Sequence, residues 1–221
     1  MSSHQILSIN LGTLQPMEVA GKLVETAMVK RPVKGAIEIT KDGVSGDSIG
    51  DKTRHGGDGQ EVYLFSAEDL QWWTNTTGLA IAPGHFGENL TIDRWWSDVR
   101  IGDRMRAGAL ELEISFPRIP CATLAAHMGG PQFLKTFIAA SRPGFYARVI
   151  APASLQAGQT FEIIRTTANH PLAVELFDLW HNSKLRNEEI LLRARSAPIA
   201  HRAVKAFDNW LATMSTIAGQ E

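Results

Sequence analysis

The hydrophobic pattern of this chain changes period once, near Arg165, and that change limits what the chain can fold into. Up to that point the sequence runs in short stretches of alternating apolar and polar residues, separated by Gly, Pro and Asp. In "ALELEISF", Leu110, Leu112, Ile114 and Phe116 alternate with Glu111, Glu113 and Ser115, the period of two that a strand with one buried face requires. "QILSINL", "AIEIT", "EVYLF", "NLTI", "FYARVI" and "TFEII" are short strand candidates of the same kind. Residues 1–165 are therefore predicted to form a mostly β domain, a barrel or a sandwich. Beyond it, Leu172, Leu176, Phe177 and Trp180, and then Ile199, Ala203, Phe207, Trp210, Leu211 and Met214, recur at helical spacing. Residues 166–221 are expected to be a small α-helical domain of three helices, with Thr167 or Asn169 as the cap at its start.

Two helices interrupt the strands. "SAEDLQWWTNTTG" opens on Ser66 as N-cap, carries Glu68 and Asp69 in its first turn and stops at Gly78. "PQFLKTFIAAS" sets Phe133, Leu134, Phe137 and Ile138 on one face.

Charge and cysteine usage narrow the function classes. A net charge of -1 with no basic run argues against nucleic acid or an anionic membrane as partner. One cysteine in 221 residues excludes an intrachain disulfide and a cysteine-built zinc or iron-sulfur site, which fits a reducing compartment. The N-terminus has no signal-peptide pattern and no apolar run approaches the ~18 residues of a membrane span. The protein is expected to be soluble and cytoplasmic.

The chemistry-bearing residues sit in four loops rich in Gly, Pro and polar side chains: "DKTRHGGDGQ", "PGHFGENL", "PRIPCATL" and "SRPGFYARV". Each adjoins a strand candidate, and loops at one end of a β scaffold are where binding groups gather. In "RHGG", Arg54 offers a planar multi-donor fork suited to phosphate, while Gly56 and Gly57 allow close backbone approach or simply a tight turn. "GENL" reads as a bend before a strand, with Glu88 or Asn89 capping it. Cys121 follows Pro117 and Pro120, which stiffen its approach, and precedes "ATLAAHM", a short helix. A nearby Arg118 and a helix start favour the thiolate, the form that binds a soft metal; the competing reading is a small buried hydrophobe.

Read in order, "HGG" (55–57), "FGENL" (86–90), "IGDRMRAG" (101–108), "PRIPC" (117–121) and "PGFYARV" (143–149) resemble the MOSC family, named after the C-terminal domain of molybdenum cofactor sulfurases, and within it the YiiM-like bacterial branch. The resemblance runs from about Lys30 to Ile163, and the helical tail is similar to the small three-helix domain that often follows MOSC in that branch. It implies a MOSC-like β-barrel followed by a small α-helical C-terminal domain, a molybdenum cofactor (molybdenum bound to molybdopterin), and Cys121 as the metal ligand. It further implies that Lys30, Arg54, His55, Gly56, Gly57, Gly87, Glu88, Asn89 and Arg118 line the cofactor pocket. The sequence departs from the pattern after HGG, where x-D-K/R-A-V is usual and "DGQEV" stands here, with Gly59 at the acid's place and Gln60 at the basic one.

The expected function is a molybdenum-dependent oxidoreductase that reduces a small N-hydroxylated compound, such as a hydroxylaminopurine or an amidoxime. Cys121 would hold the metal and His55 would supply a proton, as imidazole titrates near neutrality. No G-x-G-x-x-G fingerprint is present, so electrons must come from a separate reductase partner. Two other readings stay open: a sulfur-carrier or cofactor-handling module that uses Cys121 without turnover, and a non-catalytic binding domain with an inert cysteine.

Overall fold

The computed structural model describes residues 3–51 and 56–218. The chain opens with β1 (His4–Gly12), a hairpin of β2 (Gln15–Val19) and β3 (Lys22–Thr26), and three short strands, β4 (Lys30–Pro32), β5 (Ala36–Thr40) and β6 (Gly43–Val44). Then β7 (Val62–Ser66) runs directly into α1 (Ala67–Thr77), followed by β8 (Leu90–Ile92), β9 (Arg104–Ala107) and β10 (Leu110–Pro117). Helices α2 (Ala122–His127) and α3 (Gln132–Ala140) precede β11 (Phe145–Ala151), β12 (Ala153–Gln156) and β13 (Thr160–Ile164). The tail holds α4 (Ala173–His181), a 3-10 turn (Ser183–Leu185), α5 (Glu188–Ser196) and α6 (His201–Ala218).

Seven strands close into a barrel in the order β1, β8, β7, β11, β10, β9, β13, with His4 opposite Phe161 and Gln5 opposite Thr160 where β13 returns to β1. The expectation of a barrel with a helical tail holds. Closure leaves no free edge in the ring, and the period-two side chains fill its inside: Ile6, Ile92, Leu64, Ile114, Leu112 and Met105 are all fully buried. Within the ring only β7 and β8 run parallel, because α1 carries the chain back between them. Ser66 caps α1 as expected: its hydroxyl accepts from the Asp69 amide at 3.0 Å, and Gly78 ends the helix in the left-handed region at φ 72°.

β10 departs from the one-sided pattern. Glu113 and Ser115, expected on a solvent face, are buried: Glu113 pairs with Arg104 and Arg148, the Ser115 hydroxyl donates to the Gly59 carbonyl, and α4 packs against the same strand. The helical tail thus shares one apolar cluster with the barrel, in which Phe116 meets the rings of Trp180 and Phe207 at centroid distances of 5.5 and 6.3 Å. The tail contains three α-helices among the described residues, as the helical spacing predicted. Its start is corrected: neither Thr167 nor Asn169 caps α4. Leu172 occupies that position, and Glu175 reaches back to accept from the Leu172 amide at 2.7 Å.

A second aromatic cluster, with Phe65, Trp73, Phe86, Phe133 and Phe137 at its centre, fills the space between the barrel and helices α1 and α3. It backs the cavity described next.

Candidate functional site

A cavity of about 450 Å³ opens beside the barrel end where the Gly- and Pro-rich loops converge. Its wall takes residues from the β2–β3 hairpin, the 47–51 segment, the loop before β7, the loop before β8 and the start of α2. Cys121 stands in this wall at the N-cap position of α2, with extended backbone angles of φ -130° and ψ 171°. The bend that brings it there begins at the end of β10, where the Arg118 amide donates to the Gly144 carbonyl at 3.2 Å.

Arg118 is the charge beside the thiol. It is 3 % exposed, its side chain hydrogen bonds to Cys121, and its guanidinium lies 5.7 Å from the centre of the Tyr63 ring. Burial presses Arg118 towards its neutral form, but the Cys121 charge and the Tyr146 and Tyr63 phenols outweigh that and hold its pKa above the usual arginine value. Its Nε is buried and makes no hydrogen bond. A buried guanidinium N–H left open beside a thiol, both in a cavity wall, fits a ligand that is anionic and binds sulfur. The molybdenum cofactor implied by the family resemblance has that chemistry, so the residues present fit the group.

Lys30 also lines the cavity, but its charge is already answered. Its ammonium pairs with Asp47, whose other oxygen accepts from the Gly12 amide at 2.8 Å. Burial lowers the Lys30 pKa, and Asp47 and Glu88 oppose that. Asn89 closes the same network: its amide donates to Asp47 at 2.8 Å, and its carbonyl oxygen accepts from the Tyr63 backbone at 3.2 Å.

Gly87 and Gly56 line the cavity. Gly56 sits at φ 70°, and a Cβ there would come within 2.6 Å of the Ile49 side chain. Gly57 and Glu88, also expected in the pocket, stand outside this cavity's wall. Gly57 makes a turn instead, its carbonyl accepting from the Gln60 amide at 2.8 Å, and it does not reach the cavity wall. Glu88 is fully buried behind the wall, where it accepts from the Gly84 amide at 2.6 Å, the Phe86 amide at 3.0 Å and the Thr91 hydroxyl at 3.1 Å. This carboxylate holds the bend, the capping role that "GENL" suggested. Burial raises its pKa to about 7 despite those donors. Arg54 and His55 lie outside the described residues.

Asp47, Tyr63, Tyr146, Gln60 and Glu61, none of them expected as site residues, also stand in the cavity wall. For Gln60 and Glu61 a signal was present, since they are two of the residues by which "DGQEV" departs from the usual pattern. Asp47 carried none: "SGDSIGD" reads as an ordinary polar loop.

Comparison with known proteins agrees with the architecture. The MOSC domain profile matches residues 51–162. YflK of Bacillus subtilis, an uncharacterized protein, is 32% identical over 162 residues, 73% of either chain. A protein of Gibberella moniliformis named "Reductase" is 27% identical over 164 residues, which are 72% of this chain and 29% of that protein. The crystal structure of YiiM from Geobacillus stearothermophilus superposes with a TM-score of 0.76 at 24% identity, covering 94% of this chain and 99% of that one. The closed barrel, the cysteine at its rim and the match over residues 51–162 together establish that this chain belongs to the MOSC domain family.

Proposed function

We propose that the cavity binds a molybdenum cofactor through Cys121 and that the protein reduces a small N-hydroxylated compound with electrons from a separate reductase. The observation that carries this reading is the pairing of the Cys121 thiol with a buried Arg118 whose Nε has no partner, inside a cavity of about 450 Å³. Membership of a family named for cofactor sulfurases and similarity to a fungal protein called a reductase support it. When bound, the cofactor supplies a two-electron centre able to accept an oxygen atom. In the net reaction the N–O bond breaks, two electrons and two protons are consumed, and the amine or amidine and water leave. Arg118 favours the thiolate of Cys121 and offers its open N–H to the anionic part of the ligand. The aromatic cluster behind Phe86 closes the cavity's inner side to water. His55 remains the proposed proton donor on chemical grounds alone.

The test is Cys121→Ser in a host that makes the cofactor. A hydroxyl hardly ionises at neutral pH and is a hard donor, so molybdenum and N-hydroxy reduction should both be lost while thermal unfolding stays cooperative. Full activity in that variant would exclude the ligand role. Stoichiometric metal and pterin in the parent protein without any turnover would favour a cofactor-handling module instead.

A further inference from the structure

We propose that Glu61, assisted by Gln60, recognises a planar N–H donor edge, of the amidine or 2-aminopyrimidinone type, on the group that fills the cavity. Both residues line the cavity, and Glu61 Oε2 and Gln60 Oε1 are buried there with no hydrogen-bond partner. A buried acceptor left open costs free energy unless a ligand answers it, and two on adjacent residues ask for two donors. The rest of the carboxylate is held in place, with the backbone amides of Glu61 itself and of Gly59 against it.

Among the described residues, two nearby cations are committed elsewhere. Arg148, whose charge acts on Glu61, is engaged by Asp58 at 3.0 Å and Glu113 at 3.3 Å. Lys30 is held by Asp47. A phosphate or sulfate would be repelled by this carboxylate, whereas an N–H beside an exocyclic NH2 offers parallel donors to it. The cavity wall therefore carries two recognition groups of opposite sign, Arg118 for the anionic part of a ligand and Glu61 for its N–H edge. The pair belongs to this chain's own sequence, since Gln60 and Glu61 stand where x-D-K/R-A-V would place a basic residue and Ala.

This inference deepens the functional reading by naming ligand chemistry, but its test uses no molybdenum, so it can fail while the cofactor reading stands. The donor edge has two sources, the pterin of the cofactor and an N-hydroxylated amidine or aminopurine substrate. Cofactor-free protein is titrated calorimetrically with pterin and, separately, with benzamidine. Binding of pterin alone assigns the edge to the cofactor, and binding of benzamidine alone assigns it to the substrate. Binding of both leaves the shared edge as the recognised feature. In each case Glu61→Gln, which keeps size and loses charge, should weaken the probe by roughly tenfold or more. Gln60→Lys, which places a cation against the edge, should weaken it similarly and serves if Glu61→Gln does not fold. No binding of either probe to the parent protein, or equal binding to parent and variants, overturns the proposal.

Discussion

Glu88 shapes the site from behind the cavity wall. Its two oxygens tie the Gly84 and Phe86 amides and the Thr91 hydroxyl, so the bend that presents Gly87 and Asn89 to the cavity is built on one carboxylate. Glu88→Gln sets a donor NH2 against at least one backbone N–H and should cost about 1–3 kcal/mol, read as a lowered Tm with near-native far-UV dichroism. The raised pKa gives a second measurement. Glu88 should titrate with a midpoint of about 7 in a carbon-detected NMR experiment. Because the folded form binds this proton more tightly than the unfolded one, its contribution to stability is greatest below the unfolded carboxylate range and falls as pH rises from there to about 7. A midpoint near the ordinary glutamate value would show that the three donors outweigh burial. Cys121, Arg118, Gly56, Gly87 and Asn89 were legible as pocket residues because family motifs mark them. Glu88 was legible only as a cap, and Asp47 not at all, since burial and long-range pairing leave no mark on a lone acidic residue in a polar loop.

At the scale of elements, the loop after HGG is held between barrel and tail. Gly59 offers its carbonyl to the Ser115 hydroxyl of β10, the Asp58 carbonyl accepts from the His201 amide at the start of α6 at 3.2 Å, and Arg148 of β11 bonds Asp58. Gly59 stands at φ 82°, and a Cβ there would lie 2.6 Å from the Ala200 Cα. Gly59→Ala thus combines left-handed strain with a backbone clash and should cost about 2–4 kcal/mol in thermal or urea unfolding. An unchanged midpoint would mean that the tail gives way easily at Ala200. This also explains why an acid at position 59 is absent: no side chain fits beneath the tail. Ser66→Ala should cost about 1–2 kcal/mol, because it removes the cap of α1 and a donor to the buried Asp69, which also anchors Trp95. A stability change within a few tenths of a kcal/mol would assign that work to Trp95. Ser66 and Gly78 were readable because capping is local chemistry. The β2–β3 hairpin was not, since it pairs with itself and leaves most of its side chains exposed, with no alternation to betray it.

At the scale of the whole molecule the open issue is whether the tail is a domain or a buttress. A change of structure type falls near 165/166: β13 ends at Ile164, and the elements described after it are helices, with one isolated bridge between Leu172 and Arg100. Every strand of the ring, including the one that closes it on β1, precedes that point. The apolar core does not stop there: Leu176, Leu179, Leu191 and Phe207 belong to the same buried cluster as Ile114 and Leu112. Closure of the ring by hydrogen bonds predicts that a chain ending at Ala168 still folds to a β-rich form with cooperative unfolding. The shared cluster predicts that it does so at a clearly lower Tm, because uncovering a residue such as Phe116 alone forfeits about 1.5–3 kcal/mol. Loss of α6 also releases Asp58 and Gly59, so the truncated protein should expose the 56–61 loop to faster amide hydrogen exchange than the ring strands show. Absence of cooperative unfolding would make barrel and helices one folding unit. An unchanged Tm would make the tail a separate domain whose contacts contribute nothing to the barrel's stability.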